Sequence, residues 1–484
     1  MNLTLDITAL SSDGRGIARR PGEKVVFIPQ ALPGEQVEAC ITQEKKNFCE
    51  AKVLKRLKPA ENAVEPACPH QGECGGCPLM RMDYSDQLFW KQRFVQDALR
   101  KTGGLSDFPI APVIASPAVL DCRNRVELAI GKDDSGLLRL GMRRRTAHTI
   151  VPTPECALMD AEARAVLKEV EAVLQDAALS VYEGPAATDR KRTPSRKADS
   201  SQGFLRFCQI RTGYVPDALS LASASSLPAE KAVWVILLTS KGTAEETLRL
   251  KSAAENLLKA CPAVHAVLHE ERYSNDLLTQ GERRIFTLGR EGCTDPALML
   301  MPLDGRGYII DAADFFQVNT EAAGLLAQTA AAQIPGCGSL LDLYCGSGAP
   351  GLNIASREVW GIEYSKSAIR LARQNADRFS VAGHYEAGDA SKVLARSAFR
   401  KAGASVVLCD PPRAGLSQAV IDFILEKKAE KLLYVSCNPA TLARDVKLLA
   451  PCYAPASITP VDLFPQTPHV ETVCLLTRKA SLMK

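Results

Sequence analysis

Over the first sixty residues apolar and polar positions alternate in short runs at 2–9, 24–28, 36–43 and 48–57, broken by turn signals at Gly14–Gly16 and Pro33-Gly34. A period of two places Val37, Ala39 and Ile41 on one inward face and leaves Lys45, Lys46, Lys52, Lys55, Arg56 and Lys58 wet. Short strands at this spacing predict a small β-barrel of the oligonucleotide-binding kind. After a proline-bounded linker at 59–66, Leu88, Phe89, Phe94, Val95, Ala98 and Leu99 recur at helical spacing over 84–102, and Gly103-Gly104 ends the run. That helix carries an apolar face expected to pack on the domain at the C-terminal end of the chain.

From 109 to 302 the pattern is mixed. Strands are predicted at 125–130, 204–212, 232–239, 263–270 and 284–287, and helices at 161–174 and 247–260. Between 183 and 203 proline, serine and charge dominate, which reads as a loop insertion. From 335 onward strand and helix patterns alternate, with strands at 339–343, 359–362, 406–408, 432–435, 457–463 and 471–477. Alternation of this kind predicts a doubly wound α/β sheet. The expected organisation is a barrel at 1–60, a mixed α+β segment at 61–310 and a Rossmann-like domain at 311–484.

The 484 residues suffice for about three domains, and 46% hydrophobic with 24% charged residues excludes a largely disordered chain. Apolar runs such as 232–238 are far too short to span a bilayer, and residues 1–8 lack a basic start followed by an apolar stretch. A cytoplasmic location is expected, with no membrane and no obligate protein partner. In that reducing setting the sixteen cysteines are read first as ligands or nucleophiles and otherwise as small buried hydrophobes. Net charge is only +4, so distribution matters more than balance. Arg123, Arg125, Lys132, Arg139, Arg143, Arg144 and Arg145 stand against Glu127, Asp133 and Asp134, a density suited to a phosphate backbone. The five basic residues within 190–197 read as a solvated linker.

Four constellations carry chemistry. Cys68-Pro-His-Gln-Gly-Glu-Cys74-Gly-Gly-Cys77, with Cys156 as a distant fourth thiol, has metal-site spacing that suits zinc and iron–sulfur centres alike. Asp342-Leu-Tyr344-Cys-Gly346-Ser-Gly348-Ala-Pro-Gly351 leads from a strand into a glycine loop, as both dinucleotide enzymes and methyltransferases require. Glu363 ends the next strand, where it can accept from a ribose diol or merely cap, and Asp389 ends a third as an adenine-side contact or a turn residue. Asp410-Pro-Pro-Arg413 follows the fourth strand, its prolines stiffening a loop at the ligand-binding edge. Last, Ser436-Cys437-Asn438-Pro439 delivers a thiol to the same edge, and Glu471 follows a Phe464-Pro-Gln-Thr-Pro-His469 turn. A thiolate and a carboxylate together suit one reaction. Addition at C6 of uracil makes C5 enolate-like, able to attack an electrophilic methyl group before a base removes its proton.

At these residues the chain resembles the RNA uracil-C5 methyltransferase family over most of its length. The resemblance implies a class I methyltransferase domain at the C-terminus and a TRAM-type RNA-binding barrel at the N-terminus. It implies a [4Fe–4S] cluster on Cys68, Cys74, Cys77 and Cys156. It also implies S-adenosylmethionine contacts from Gln317 in Phe315-Phe316-Gln317-Val318-Asn319 and from Tyr344, Glu363, Asp389 and Asp410. Cys437 takes the place of the family nucleophile and Glu471 that of the general base, while 123–126 resembles the RNA-facing strand. Ala349 departs from the asparagine common in the large-subunit ribosomal branch, and Asp-Pro-Pro-Arg leans toward transfer-RNA enzymes. Barrel and cysteines together favour 23S ribosomal RNA as partner. Transfer RNA is the alternative, followed by a non-catalytic RNA-binding factor, which would need neither Cys437 nor Glu471, and a nicotinamide dehydrogenase.

Overall fold

Alternating side chains close the N-terminal segment into a barrel. Strands β1 (Asn2–Leu10), β2 (Gly16–Ala18), β3 (Val25–Ile28), β4 (Gln36–Glu44) and β5 (Phe48–Lys58) join in the order β1-β2-β3-β5-β4. Leu5 stands opposite Val37 across β1 and β4, and with Ile7, Val26, Ile28 and Ala39 it fills the interior. Closure leaves no free sheet edge. Helix α1 (Tyr84–Lys101) starts at Asp83, whose carboxylate accepts from the Ser85 N–H. Its buried positions Gln87, Lys91, Phe94, Val95 and Leu99 form one face, and Val95 and Leu99 join the core of the C-terminal sheet.

The computed structural model describes residues 2–19, 23–133, 135–144, 149–183, 203–217, 221, 227–228, 230–274, 276–396, 399 and 402–480. Asp134 and Arg145 of the basic stretch, the 190–197 run and nearly all of the insertion lie outside the described residues. The chain divides into two compact units. One comprises Met1–Gly72, Gly76–Val119 and Glu321–Lys484, the other Glu73–Gly75 and Leu120–Thr320.

The second unit contains β6 (Arg125–Lys132), β7 (Leu138–Arg143), β8 (Ile150–Pro152), α2 (Ala161–Asp176), β9 (Leu205–Tyr214), β10 (Lys231–Thr239), α3 (Ala244–Ala260), β11 (Val264–Glu271), β12 (Arg283–Gly289), β13 (Leu298–Leu303) and β14 (Arg306–Asp311). Its sheet runs β12-β11-β10-β9-β6-β7-β8, with β13 pairing β9 and β14. Val166 and Val170 of α2 and Leu250 and Leu257 of α3 pack on Val126, Leu128, Ile210 and Val235 of the sheet. Helix α3 begins three residues before its apolar spacing does, because Thr243 and Glu246 cap it reciprocally.

Beyond α4 (Thr320–Ala332) come β15 (Ser339–Leu343), α5 (Ala349–Ile354), β16 (Glu358–Glu363), α6 (Lys366–Arg378), β17 (Ala382–Ala387), α7 (Ala390–Val393), β18 (Val406–Cys409), α8 (Gln418–Lys427), β19 (Lys431–Ser436), α9 (Pro439–Leu449), β20 (Tyr453–Val461) and β21 (Glu471–Arg478). They form a sheet in the order β17-β16-β15-β18-β19-β21-β20, parallel except for β21, which runs antiparallel to both neighbours. Strand order reverses between β15 and β18, so the carboxyl ends of these strands border the crevice where such sheets take ligands. Among the described residues no helix is long and apolar enough to cross a membrane.

Candidate active site

The glycine loop hangs from the end of β16. Tyr344, at φ +72°, and Cys345 donate their N–H groups to Ile362 O at 2.9 and 3.0 Å, and Gly346 and Gly348 follow with φ of +53° and +86°. Glu363 accepts from the Gly346 N–H at 3.3 Å and from the Ser365 N–H at 2.9 Å, which fixes its carboxylate against the loop. Asp389 caps α7, accepting from the Ser391 N–H at 2.9 Å and from the Ser391 hydroxyl, and these bonds hold its carboxyl below the usual range. Tyr344 is half-buried, and burial pushes its phenol upward. Tyr344 and Asp389 thus follow β15 and β17 and Glu363 ends β16, at the same sheet edge.

Asp410 follows β18, its N–H donating to Leu343 O at 3.3 Å, and desolvation pushes its carboxyl up to about 7. The loop after it is stitched to the start of α9: Asn438 Nδ2 and Thr441 Oγ1 donate to Arg413 O at 3.1 and 3.3 Å. Behind it, fully buried Asp445 accepts from the Leu416 N–H and the Tyr434 hydroxyl, both at 2.8 Å. The antiparallel register pairs Ser436 of β19 with Thr472 of β21. One step beyond, Cys437 comes across from Glu471, which is only 3% exposed. Burial, then the charges of Glu471 and Asp410, push the Cys437 thiol up to about 11, whereas Arg413 pulls it down. Burial, then Asp410, push Glu471 up to about 8, again opposed by Arg413. Cys437 also precedes the N-cap of α9, where the helix dipole favours a thiolate. Arg413 Nη2 lies 3.4 Å from His469 Nε2. A thiol, two buried carboxyls and one cation thus lie close enough at this sheet edge to shift one another's titration.

Residues 2–54 match the TRAM domain, and residues 390–479, which hold Asp410, Cys437 and Glu471, match the tRNA (Uracil-5-)-methyltransferase family. An uncharacterized RNA methyltransferase of Nitratidesulfovibrio vulgaris is 32% identical over 99% of this chain and 96% of its own. The chain belongs to the uracil-C5 RNA methyltransferase family. A second uncharacterized RNA methyltransferase, from Halalkalibacterium halodurans, is 30% identical over 98% of this chain and 96% of its own. Pyrococcus abyssi tRNA (uracil-54, C5)-methyltransferase, solved with S-adenosyl-L-homocysteine, shares the fold at a TM-score of 0.70 and 24% identity, covering 98% of this chain and 100% of that one.

In this S-adenosylmethionine-dependent methyltransferase, two buried acids escaped the sequence reading. Asp342 in β15 accepts from the Gly351 N–H at 2.9 Å, and burial together with nearby Asp410 pushes its carboxyl well up. An aspartate amid Leu341 and Leu343 just before a glycine loop is the signal that could have found it. Asp445 reads as an ordinary polar helix position, and only the fold shows that it accepts from Leu416, Tyr434 and, at 2.8 Å, Arg444 Nε. Gln317 lies in the second unit, where Asn124 Nδ2 donates to its carbonyl at 3.0 Å and the Asn124 N–H to Val318 O at 2.8 Å. Cys68 and Cys77 belong to the first unit, Cys74 and Cys156 to the second, and each is half-buried. Four thiols are suitable soft donors for iron, but among the described residues no three His, Cys, Asp or Glu side chains gather as a metal site.

Proposed function

We propose that the protein methylates C5 of a uridine in 23S ribosomal RNA, in the cytoplasm, through a covalent bond between Cys437 and C6. The register of β19 and β21, which sets Cys437 across from Glu471, carries this reading. The Cys437 thiolate adds to C6, and the displaced electron pair makes C5 nucleophilic. C5 takes the methyl group from the sulfonium, whose carbon–sulfur bond breaks to leave S-adenosylhomocysteine. Glu471 accepts the C5 proton, the C5–C6 double bond reforms and the thiolate departs. Gln317, Tyr344, Glu363, Asp389 and Asp410 are the proposed cofactor contacts, and Cys68, Cys74, Cys77 and Cys156 the proposed [4Fe–4S] ligands. Iron and acid-labile sulfide in protein purified without oxygen, and their loss in Cys74→Ser, test the latter.

Transfer RNA is the second reading, favoured by the family match over 390–479. The Pyrococcus transfer-RNA enzyme aligns with nearly the whole of this chain, so the barrel alone does not separate the two substrates. Nucleoside mass spectrometry on ribosomal and transfer RNA from a deletion strain and its parent decides. Loss of 5-methyluridine from ribosomal RNA alone is expected. Loss from transfer RNA alone overturns the substrate while keeping the chemistry.

A further inference from the structure

Between β20 and Glu471 the chain makes a nine-residue connection, 462–470, longer than the usual hairpin loop of about two to five residues. It is nonetheless buried: Asp462 is 0% exposed, Leu463 1%, Gln466 6%, Thr467 3% and Val470 1%. Gln466 also sits in the left-handed region at φ +68°, a conformation that surrounding contacts must enforce.

Those contacts come from three positions on one face of α1, residues 84, 87 and 91, and from the turn before it, where the Leu79 N–H donates to Gln466 O at 3.1 Å. Lys91, itself 0% exposed, donates to Asp462 Oδ1 at 2.5 Å and to Phe464 O at 3.0 Å. The Tyr84 hydroxyl donates to Asp462 Oδ2 at 3.0 Å. Gln87 and Gln466 bond reciprocally: Gln87 Nε2 donates to Gln466 Oε1, and the Gln466 N–H donates to Gln87 Oε1, both at 2.9 Å. The Gln87 amide is anchored in turn to Met82 O at 2.9 Å and Leu79 O at 3.3 Å. Within the connection, the Thr467 hydroxyl donates to Phe464 O at 2.8 Å and accepts from the His469 N–H at 3.3 Å, which carries the constraint to within two residues of Glu471. A lysine and a glutamine wholly inside the protein are costly unless paired; here Lys91 pairs with this one connection, and Gln87 ties it to the turn that precedes α1.

We infer that Gln87 and Lys91 of α1 are positioning residues for proton removal from C5: they clamp the 462–470 connection so that Glu471 faces Cys437. The inference rests on the proposed role of Glu471. It separates the steps of the reaction, because the clamp acts on the residue needed after methyl transfer and leaves the thiol that follows β19 in place. Misplacing a base by about 1 Å costs up to roughly a hundredfold in rate.

The experiment uses the full-length protein, substrate RNA and methyl-labelled S-adenosylmethionine. Gln87→Leu is one variant. Lys91→Met combined with Asp462→Leu is the other, since removing both partners of a buried ion pair spares the fold where removing one does not. Each is expected to slow release of free methylated RNA about tenfold or more while first-turnover methyl transfer stays within about threefold, so that denaturation-resistant, labelled protein–RNA adduct builds up. Equal losses in transfer and release without adduct, or unchanged release, overturn the inference. Glu471→Gln is run alongside. If it traps adduct and the clamp variants do not, only the positioning role falls; if it fails to trap adduct, the assignment of Glu471 as base falls first and the inference with it.

Discussion

Glu471 shows how a residue is made useful at a cost to the fold. Burial and Asp410 raise its pKa from 4.5 to about 8, so the folded protein favours the neutral carboxyl. Stability from that preference is full below about pH 4.5 and is lost as pH rises toward about 8. Glu471→Gln has no charge to bury. It is therefore expected to match the wild type in urea unfolding near about pH 5 and to exceed it by on the order of a few kcal/mol near about pH 8. A gap that is constant with pH contradicts the shift. Catalysis runs the other way, since proton acceptance needs the carboxylate and turnover should rise through about pH 8. Cys437 and Glu471 were legible in the sequence because their chemistry is rare and their flanking turns are distinctive. Asp342, Asp445 and the Lys91–Asp462 pair were not, because a lysine or aspartate in a helical or strand pattern reads as solvated until its partner, hundreds of residues away for Lys91, is placed beside it.

Among the elements, the glycine-rich turn into α5 is tightly packed. A Cβ on Gly351 would sit 2.5 Å from Asp342 Oδ2, against a carboxyl that cannot retreat from a fully buried strand. Gly351→Ala is expected to cost roughly 1–3 kcal/mol of stability and to weaken binding of S-adenosylmethionine, measured by thermal melting and calorimetric titration. An unchanged melt and affinity would show that the loop shifts freely. Long alternating strands and the amphipathic helices were readable. The three-residue strands β2 and β8 were not, because they hold too few positions to show a period. The β13–β14 pair was missed because Leu298–Leu303 is a continuous apolar run without alternation.

At the scale of the whole molecule, sequence order and spatial grouping part company. The apolar face of α1 reads as packing on the C-terminal domain, and the structure puts Val95 and Leu99 in the core of that sheet, so this unit is assembled from three stretches of chain. The barrel in the same unit leaves Lys52, Lys55 and Lys58 exposed. Replacing all three with glutamine should weaken RNA binding and flatten its dependence on the logarithm of salt by about two, leaving maximal turnover at saturating RNA unchanged. An unaltered salt slope would remove the barrel from the RNA interface. The central claim is that Cys437 and Glu471 act in sequence on one uridine. Mass spectrometry of nuclease- and protease-digested Glu471→Gln protein, after incubation with RNA and S-adenosylmethionine, tests it most directly. The peptide containing Cys437 should carry a methylated uridine nucleotide. An unmodified Cys437 peptide, together with full turnover by Cys437→Ala, would contradict the account.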